Sequence, residues 1–184
     1  MSDYSIAVIV GSLRRDSINR RLADALAGLA PEDFTLAQHS IGDLPLYNQD
    51  DDEAPAEEVL RLKAAVQAAQ GVLFVTPEYN RSVPGVLKNA IDHGSRPYGQ
   101  AVWTGKPSGV IGASIGPSGA VASQTHLRTI LAAMGAPTLE QPEANVFVGE
   151  GFFDETGAVA DPEVRAALQA WMAAFAGWVR THAG

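Results

Sequence analysis

Along this chain, short continuous apolar runs alternate with longer segments whose apolar residues recur every three or four positions. Ile6-Ala7-Val8-Ile9-Val10, within Tyr4 to Val10, has no polar alternate and stops at Gly11, as a strand covered on both faces does. Ser17 to Leu29 places Leu22, Leu26 and Leu29 on one helical face. Phe34 to Gln38 predicts a weaker strand, and Asp43 to Pro55 a loop with two prolines and the acidic run Asp50-Asp51-Asp52-Glu53. Ala56 to Gln70 predicts a helix lined by Val59, Leu62, Val66 and Ala69, followed by an apolar strand over Gly71 to Thr76. After a loop from Pro77 to Val83, Pro84 is placed to open the first turn of a helix carrying Val86, Leu87, Ala90 and Ile91. Ser108 to Ser114 is a third apolar strand, and Gly119 to Met134 the next helix. Pro137-Thr138-Leu139 and Asn145 to Val148 predict short strands. Asp161 caps a last helix from Pro162 to Val179, lined by Val164, Leu168, Trp171, Phe175 and Trp178.

Strands separated by helices imply an α/β fold, a doubly wound parallel sheet with helices on both faces, in one domain over residues 1–184. Ligands on such a sheet gather beyond the carboxyl ends of the strands. The chain contains no cysteine, which excludes disulfides, thiolate metal sites and thiol nucleophiles and fits a reducing cytoplasm. No apolar run reaches membrane-spanning length, and the opening Met1-Ser2-Asp3-Tyr4 does not read as an export signal, so Asn80-Arg81-Ser82 is taken as a chance glycosylation match. The formal net charge of −8 argues against nucleic acid or an anionic membrane as partner. Arg14, Arg15, Arg20 and Arg21, opposed only by Asp16, reverse that sign locally and suit a small anion.

Three loops carry candidate chemistry. Gly11-Ser12-Leu13-Arg14-Arg15-Asp16-Ser17-Ile18-Asn19 joins a strand to a helix, where unpaired amides and the helix dipole attract phosphate. Ser12, Ser17 and Asn19 offer hydrogen bonds and Arg14 a charged fork. Neither a Gly-x-Gly-x-x-Gly motif nor a P-loop is present, because Gly105-Lys106 runs into Pro107. The second loop, Thr76 to Gly85, sets Glu78, Tyr79 and Asn80 between prolines, an arrangement suited to the edge of a flat heterocycle. The third, Gly112-Ala113-Ser114-Ile115-Gly116, matches the nucleophile elbow of α/β-hydrolases, with Asp154 or Asp161 and then His182 in triad order.

The first loop, Pro77-Glu78-Tyr79-Asn80 running into Ser82-Val83-Pro84-Gly85-Val86-Leu87-Lys88-Asn89-Ala90-Ile91-Asp92, and Gly105-Lys106-Pro107 together resemble the NADPH-dependent FMN reductase family. Within it, the chain is most similar to the bacterial quinone, chromate and ferric reductases. The resemblance implies a flavodoxin-like, five-stranded sheet holding FMN, with NADH or NADPH as donor and small molecules as acceptors in alternation. It assigns Ser12, Arg14, Ser17 and Asn19 to the FMN phosphate, with Ile18 among the cofactor-binding residues, Pro77, Glu78, Tyr79 and Asn80 to the isoalloxazine ring, and Ser114 to the ring's other side. It also implies a homodimer, or a tetramer, with Leu87 to Asp92 on the interface and each flavin completed by the partner. Where many relatives have an aromatic residue, this chain has Arg81, which alters the contacts expected beyond the dimer. The flavin carries the chemistry, so no acid–base side chain is expected to be essential. An electron-carrying flavodoxin without direct NAD(P)H oxidation is the alternative from another class.

Other residues read more plainly. His39, His93, His126 and His182 lack metal-ligand spacing, and His93 reads as a surface or interface histidine. Asp50 to Glu53 reads as a solvated loop, and Trp171, Phe175 and Trp178 as core or interface. Arg96 is read either as a guide for the nicotinamide or acceptor, or as an interface salt bridge.

Overall fold

The computed structural model describes residues 4–183; the opening Met1-Ser2-Asp3 read above lies outside the described residues. The continuous apolar runs become β1 (Tyr4–Val10), β3 (Gly71–Val75) and β4 (Ser108–Ser114), nearly all buried. With β2 (Phe34–His39) and β5 (Asn145–Phe147) they form one parallel five-stranded sheet in the order β2-β1-β3-β4-β5. The crossovers are α1 (Ile18–Ala27), α2 (Glu57–Ala68), α3 (Gly85–Gly94) and α4 (Val121–Ala133), and α5 (Pro162–His182) follows β5.

Alternate residues of the central strands face opposite layers. Ile6, Val8 and Val10 pack with Leu22 and Leu26 of α1 and with Trp171 and Phe175 of α5. Ala7, Ile9 and Phe74 pack with Leu62 of α2, Leu87 and Ile91 of α3, and Leu127 of α4. Burying a side chain of that size contributes roughly 1.5–3 kcal/mol, so both layers are anchored to the sheet. Among the described residues, no helix is long and apolar enough to cross a membrane.

Several boundaries move. Pro84 precedes α3 as its cap residue, with ψ 142°, and does not occupy the first turn. Leu29 falls beyond α1, which ends at Ala27 with Gly28 as cap, but it still packs on the core. Pro137-Thr138-Leu139 makes only a single parallel bridge, between Thr138 and Ser108, because Pro137 has no N–H to extend a ladder. Since β5 pairs only with Gly112, Ala113 and Ser114, another group covers the edge of β4 nearer its start. Arg128 Nη2 donates to the Val110 carbonyl at 3.2 Å.

At the other end of β4 the strands crowd together. A Cβ at Gly112 would collide with the Thr76 carbonyl oxygen, so only glycine lets β4 pass the exit of β3 there. One residue further on, β3 no longer pairs with β4, and the carboxamide of Asn19 takes its place. Asn19 Nδ2 donates to the Ala113 carbonyl at 2.9 Å, and the Ala113 amide donates to Asn19 Oδ1 at 2.9 Å. Replacing Asn19 with Ala strands two buried backbone groups, a loss of about 2–4 kcal/mol. We expect thermal unfolding of Asn19→Ala to fall by roughly 5–15 °C, with Asn19→Asp also destabilised because it lacks the donor. An unchanged midpoint for Asn19→Ala would contradict this role.

Candidate functional site

Three loops leave the carboxyl edge of the sheet side by side. The Gly11 amide donates to Val75 O at 2.9 Å, and the Thr76 amide donates to Ile111 O at 2.9 Å, so the exits of β1, β3 and β4 are stitched together in that order. The loop after β1 ends on Ser17, whose hydroxyl caps α1 by accepting from the Arg20 amide at 3.2 Å. Ser12 and Ser17 are 4% and 3% exposed, whereas Arg14 and Arg15 lie open to solvent and Ile18 is half-buried. The first turn of α1 contains no acidic residue, while α2 opens with Glu57 and Glu58 and α5 with Glu163. The positive end of the α1 dipole is therefore not neutralised from within, the electrostatic setting an anion needs. The Asn19 carboxamide is committed to Ala113, so it is the backbone amide of Asn19, not its side chain, that is left to meet an anion there. What faces the loop is two buried hydroxyls, an exposed guanidinium and a helix end, a donor set that fits the terminal phosphate of FMN.

The loop after β3 doubles back on itself. Tyr79 and Ser82 exchange backbone hydrogen bonds at 3.0 and 3.1 Å, and the two residues between them, Asn80 and Arg81, have φ of 52° and 65°. That is a two-residue turn of the kind usually built with Asn and Gly. Placing Arg81 in the left-handed region stores strain of about 1 kcal/mol or more. Pro77 is buried, Tyr79 is 44% exposed, and Asn80 is exposed at the tip. Glu78 points away from the tip. Its Oε2 accepts from the Ala122 amide at 2.9 Å, at the start of α4. The sequence reading missed Leu13 and Ile115, which are 49% and 78% exposed on the first and third loops. Together with Tyr79 they give each loop one apolar side chain able to cover a flat ring, and their signal is an apolar residue in an otherwise polar loop.

The third loop does not form a hydrolase elbow. Ser114 Oγ accepts from the Gly116 amide at 3.0 Å. His182 bonds through Nδ1 to Trp178 O at 2.9 Å, and Trp178 Nε1 donates to Pro137 O, beside the start of β4. Ser114 ends the same strand, about 20 Å away for a strand of this length. Asp154 Oδ1 accepts from Thr156 and Ala158 and holds a tight turn; the Thr156 hydroxyl keeps that carboxyl below its usual range. Asp161 Oδ1 caps α5 by accepting from Glu163 and Val164. No triad is assembled, because a helix following a parallel strand carries its end back to the opposite edge.

The segment from 43 to 55 is not simply solvated. It straps onto α3: Tyr47 N donates to Asn89 Oδ1 at 2.8 Å, Asn89 Nδ2 to Pro45 O at 2.8 Å, and His93 Nε2 bonds Pro45 O at 2.9 Å. His93 is 8% exposed and lies edge-on to Tyr47, so it is not a surface residue. Arg96 pairs with Asp52 within the chain, at 2.6 Å from Nη2 and 2.8 Å from Nε. Pro45, Tyr47, Asp52, His93 and Arg96, with Lys63, line a cavity of about 320 Å³. Within the Leu87 to Asp92 segment, Leu87, Ala90 and Ile91 are at most 1% exposed and fill the core of their own chain, while Lys88, Asn89 and Asp92 keep contact with solvent. A cavity of about 870 Å³ between β5 and α5, lined by Val146, Phe147, Leu168 and Trp171 among others, includes no residue of the three loops. Among the described residues no cluster of three or more His, Asp or Glu could hold a metal ion.

The profile of the NADPH-dependent FMN reductase family matches residues 4–151. A 2-hydroxy-1,4-benzoquinone reductase of a Burkholderia species is 49% identical over 175 residues, covering 95% of this chain and 96% of the relative. The solved structure of the flavoenzyme FerB, an NAD(P)H:(acceptor) oxidoreductase of Paracoccus denitrificans, superposes with a TM-score of 0.94 at 42% identity, covering 97% of this chain and 98% of FerB. A flavodoxin, WrbA-like protein of Agrobacterium tumefaciens shares the fold at a TM-score of 0.61 and 20% identity, over 97% of this chain and 99% of its own. This chain therefore belongs to the NADPH-dependent FMN reductase family, and is a flavodoxin-like oxidoreductase with FMN and a reduced nicotinamide nucleotide as its cofactors.

Proposed function

We propose that this enzyme is a quinone reductase that takes a hydride equivalent (two electrons and one proton) from NADH or NADPH and delivers it to a quinone, which gains a second proton from solvent, leaving the oxidised nucleotide and a hydroquinone. The observation that carries this reading is the unneutralised amino end of α1 between the buried hydroxyls of Ser12 and Ser17, at the same edge as the turn of Asn80 and Arg81. The 49% identical relative named a benzoquinone reductase supports the acceptor class. FMN, when bound there, would supply the two-electron redox chemistry that links nicotinamide and quinone. Ser12, Arg14, Ser17 and the Ile18 amide would hold the phosphate, and Pro77, Tyr79, Asn80 and Ser114 would line the ring. Backbone amides and Asn80 favour the charge that develops on the ring's polar edge. No side chain need move a proton to the nucleotide, so donor and acceptor take turns over one open face. Chromate and ferric complexes, as electron acceptors without a required pocket, are further acceptors of the same site. Arg96 stays with Asp52 and ties the strap to α3. The lack of cysteine fits a cytoplasmic setting.

The working unit in this reading is a homodimer. The outer side of α3 and its strap leave Leu46 and Tyr98 86% and 92% exposed, apolar surface that a second copy would cover.

Three outcomes follow. Initial rates with NADH or NADPH against a benzoquinone give parallel double-reciprocal lines; intersecting lines would show both substrates bound at once and defeat the alternation. Arg14→Ala weakens FMN binding about tenfold, one exposed charge-assisted bond, and leaves the unfolding midpoint unchanged; equal affinity removes Arg14 from the phosphate site. Sedimentation gives twice the mass of the 19.3 kDa chain, and Tyr98→Glu shifts it towards one chain. A wild-type protein that sediments as a single chain contradicts the dimer.

A further inference from the structure

We infer that Glu78 is a positioning residue for the flavin: its carboxylate fastens the loop after β3 to the amino end of α4, making one rigid frame of the two loops that border the ring. The inference rests on the proposed placement of FMN between those loops.

The need for such a contact starts in α4. The residue before its first turn is Ala120, held in the left-handed region with φ 66° and ψ 29°, and no side chain of its own segment caps the helix. Gly119 just before it is packed against the Asn145 and Val146 backbone so closely that a Cβ would collide. The approach to α4 is therefore too tight for the Ser, Thr or Asp that ordinarily accepts from the first amides. Glu78, 44 residues earlier, supplies the missing acceptor through Oε2 to the Ala122 amide at 2.9 Å. A carboxylate there also meets the positive end of the helix dipole.

Two neighbouring contacts run along the same helix. Thr76 Oγ1 and Ser123 Oγ lie 2.9 Å apart, both residues fully buried, and Ser82 Oγ lies 3.0 Å from His126 Nδ1. The loop is thus held at residues 76, 78 and 82, on either side of the left-handed pair Asn80 and Arg81. A turn with two non-glycine residues at positive φ relaxes unless its surroundings hold it. Of the three contacts, Glu78 is the one nearest the tip on the β3 side and the only charged one. Its Oε2 is committed to the Ala122 amide. This makes Glu78 a residue that acts through loop geometry rather than by contact with substrate.

The test compares Glu78→Ala with Glu78→Gln, which keeps an oxygen acceptor for Ala122. FMN affinity is read by quenching of free flavin fluorescence, and amide exchange is followed over residues 78–84 and at Ala122 in the FMN-free protein. We expect Glu78→Ala to bind FMN about tenfold more weakly, one charge-assisted hydrogen bond, with faster exchange in both segments. Glu78→Gln should recover most of the affinity and protection. Wild-type affinity and exchange in Glu78→Ala would overturn the inference. Equal losses in both variants would overturn it too, since the hydrogen bond would then not be the agent. If Glu78→Ala fails to fold, affinity and exchange in Glu78→Gln decide: near wild-type values sustain the bond, and a tenfold loss in the folded variant refutes it. Wild-type protein that binds no FMN would instead refute the functional reading on which this rests, and so the two failures stay distinct.

Discussion

The paired hydrogen bonds between the Asn19 carboxamide and the Ala113 backbone hold the amino end of α1 against β4, at a level where β3 has already turned away. A carboxamide has the same planar donor and acceptor as a peptide group, so Asn19 extends the sheet by one unit without a strand. The loop after β1 is thereby drawn across the exit of β3 towards that of β4. The donors of Ser12 and Ser17 then lie at the edge where the other two loops emerge. Without that link, α1 would be held mainly by its apolar face, through Leu22 and Leu26, and by the bond from Gln38 of β2 to Asp24.

A second economy runs through the molecule: side chains from one element complete the hydrogen bonding of another. Glu78 caps α4, Asn89 holds the strap over α3, and Arg128 covers the part of β4 that the short β5 does not reach. Each of these is a polar group at or near the surface of an apolar layer, where an unmet backbone group costs about 1–3 kcal/mol. The loops consequently have little freedom of their own, which suits a site that must present a bound ring in a fixed orientation to donor and acceptor in turn. Their apolar tips stay in reach of solvent: Leu13 and Tyr79 are about half exposed and Ile115 is largely exposed.

Much of this fold can be read along the chain. β1, β3 and β4 are unbroken apolar runs because both faces are covered, and Ser17 and Asp161 act as the caps their residue types suggest. The three loops are recognisable as polar segments that follow buried strands. What local reading misses are partners far apart in sequence: Asn19 with Ala113 across 94 positions, and Arg96 with Asp52 across 44. Asn19 looks like a phosphate ligand from its neighbours alone, since nothing nearby reveals that β3 ends short of Ala113. Asp52 looks solvated for the same reason. The hydrolase pattern at Ser114 and His182 fails on direction, which parallel topology already implies: each crossover helix returns to the edge its strand came from.

The most direct test of the account is the visible spectrum of the FMN-loaded protein during anaerobic addition of NADH, and then of NADPH. The account predicts that the bound flavin band bleaches as one equivalent of at least one nucleotide is added, and returns when a benzoquinone follows. A bound flavin that keeps its colour with both nucleotides would contradict it, and would leave the chain as a holder of FMN without the reaction proposed for it.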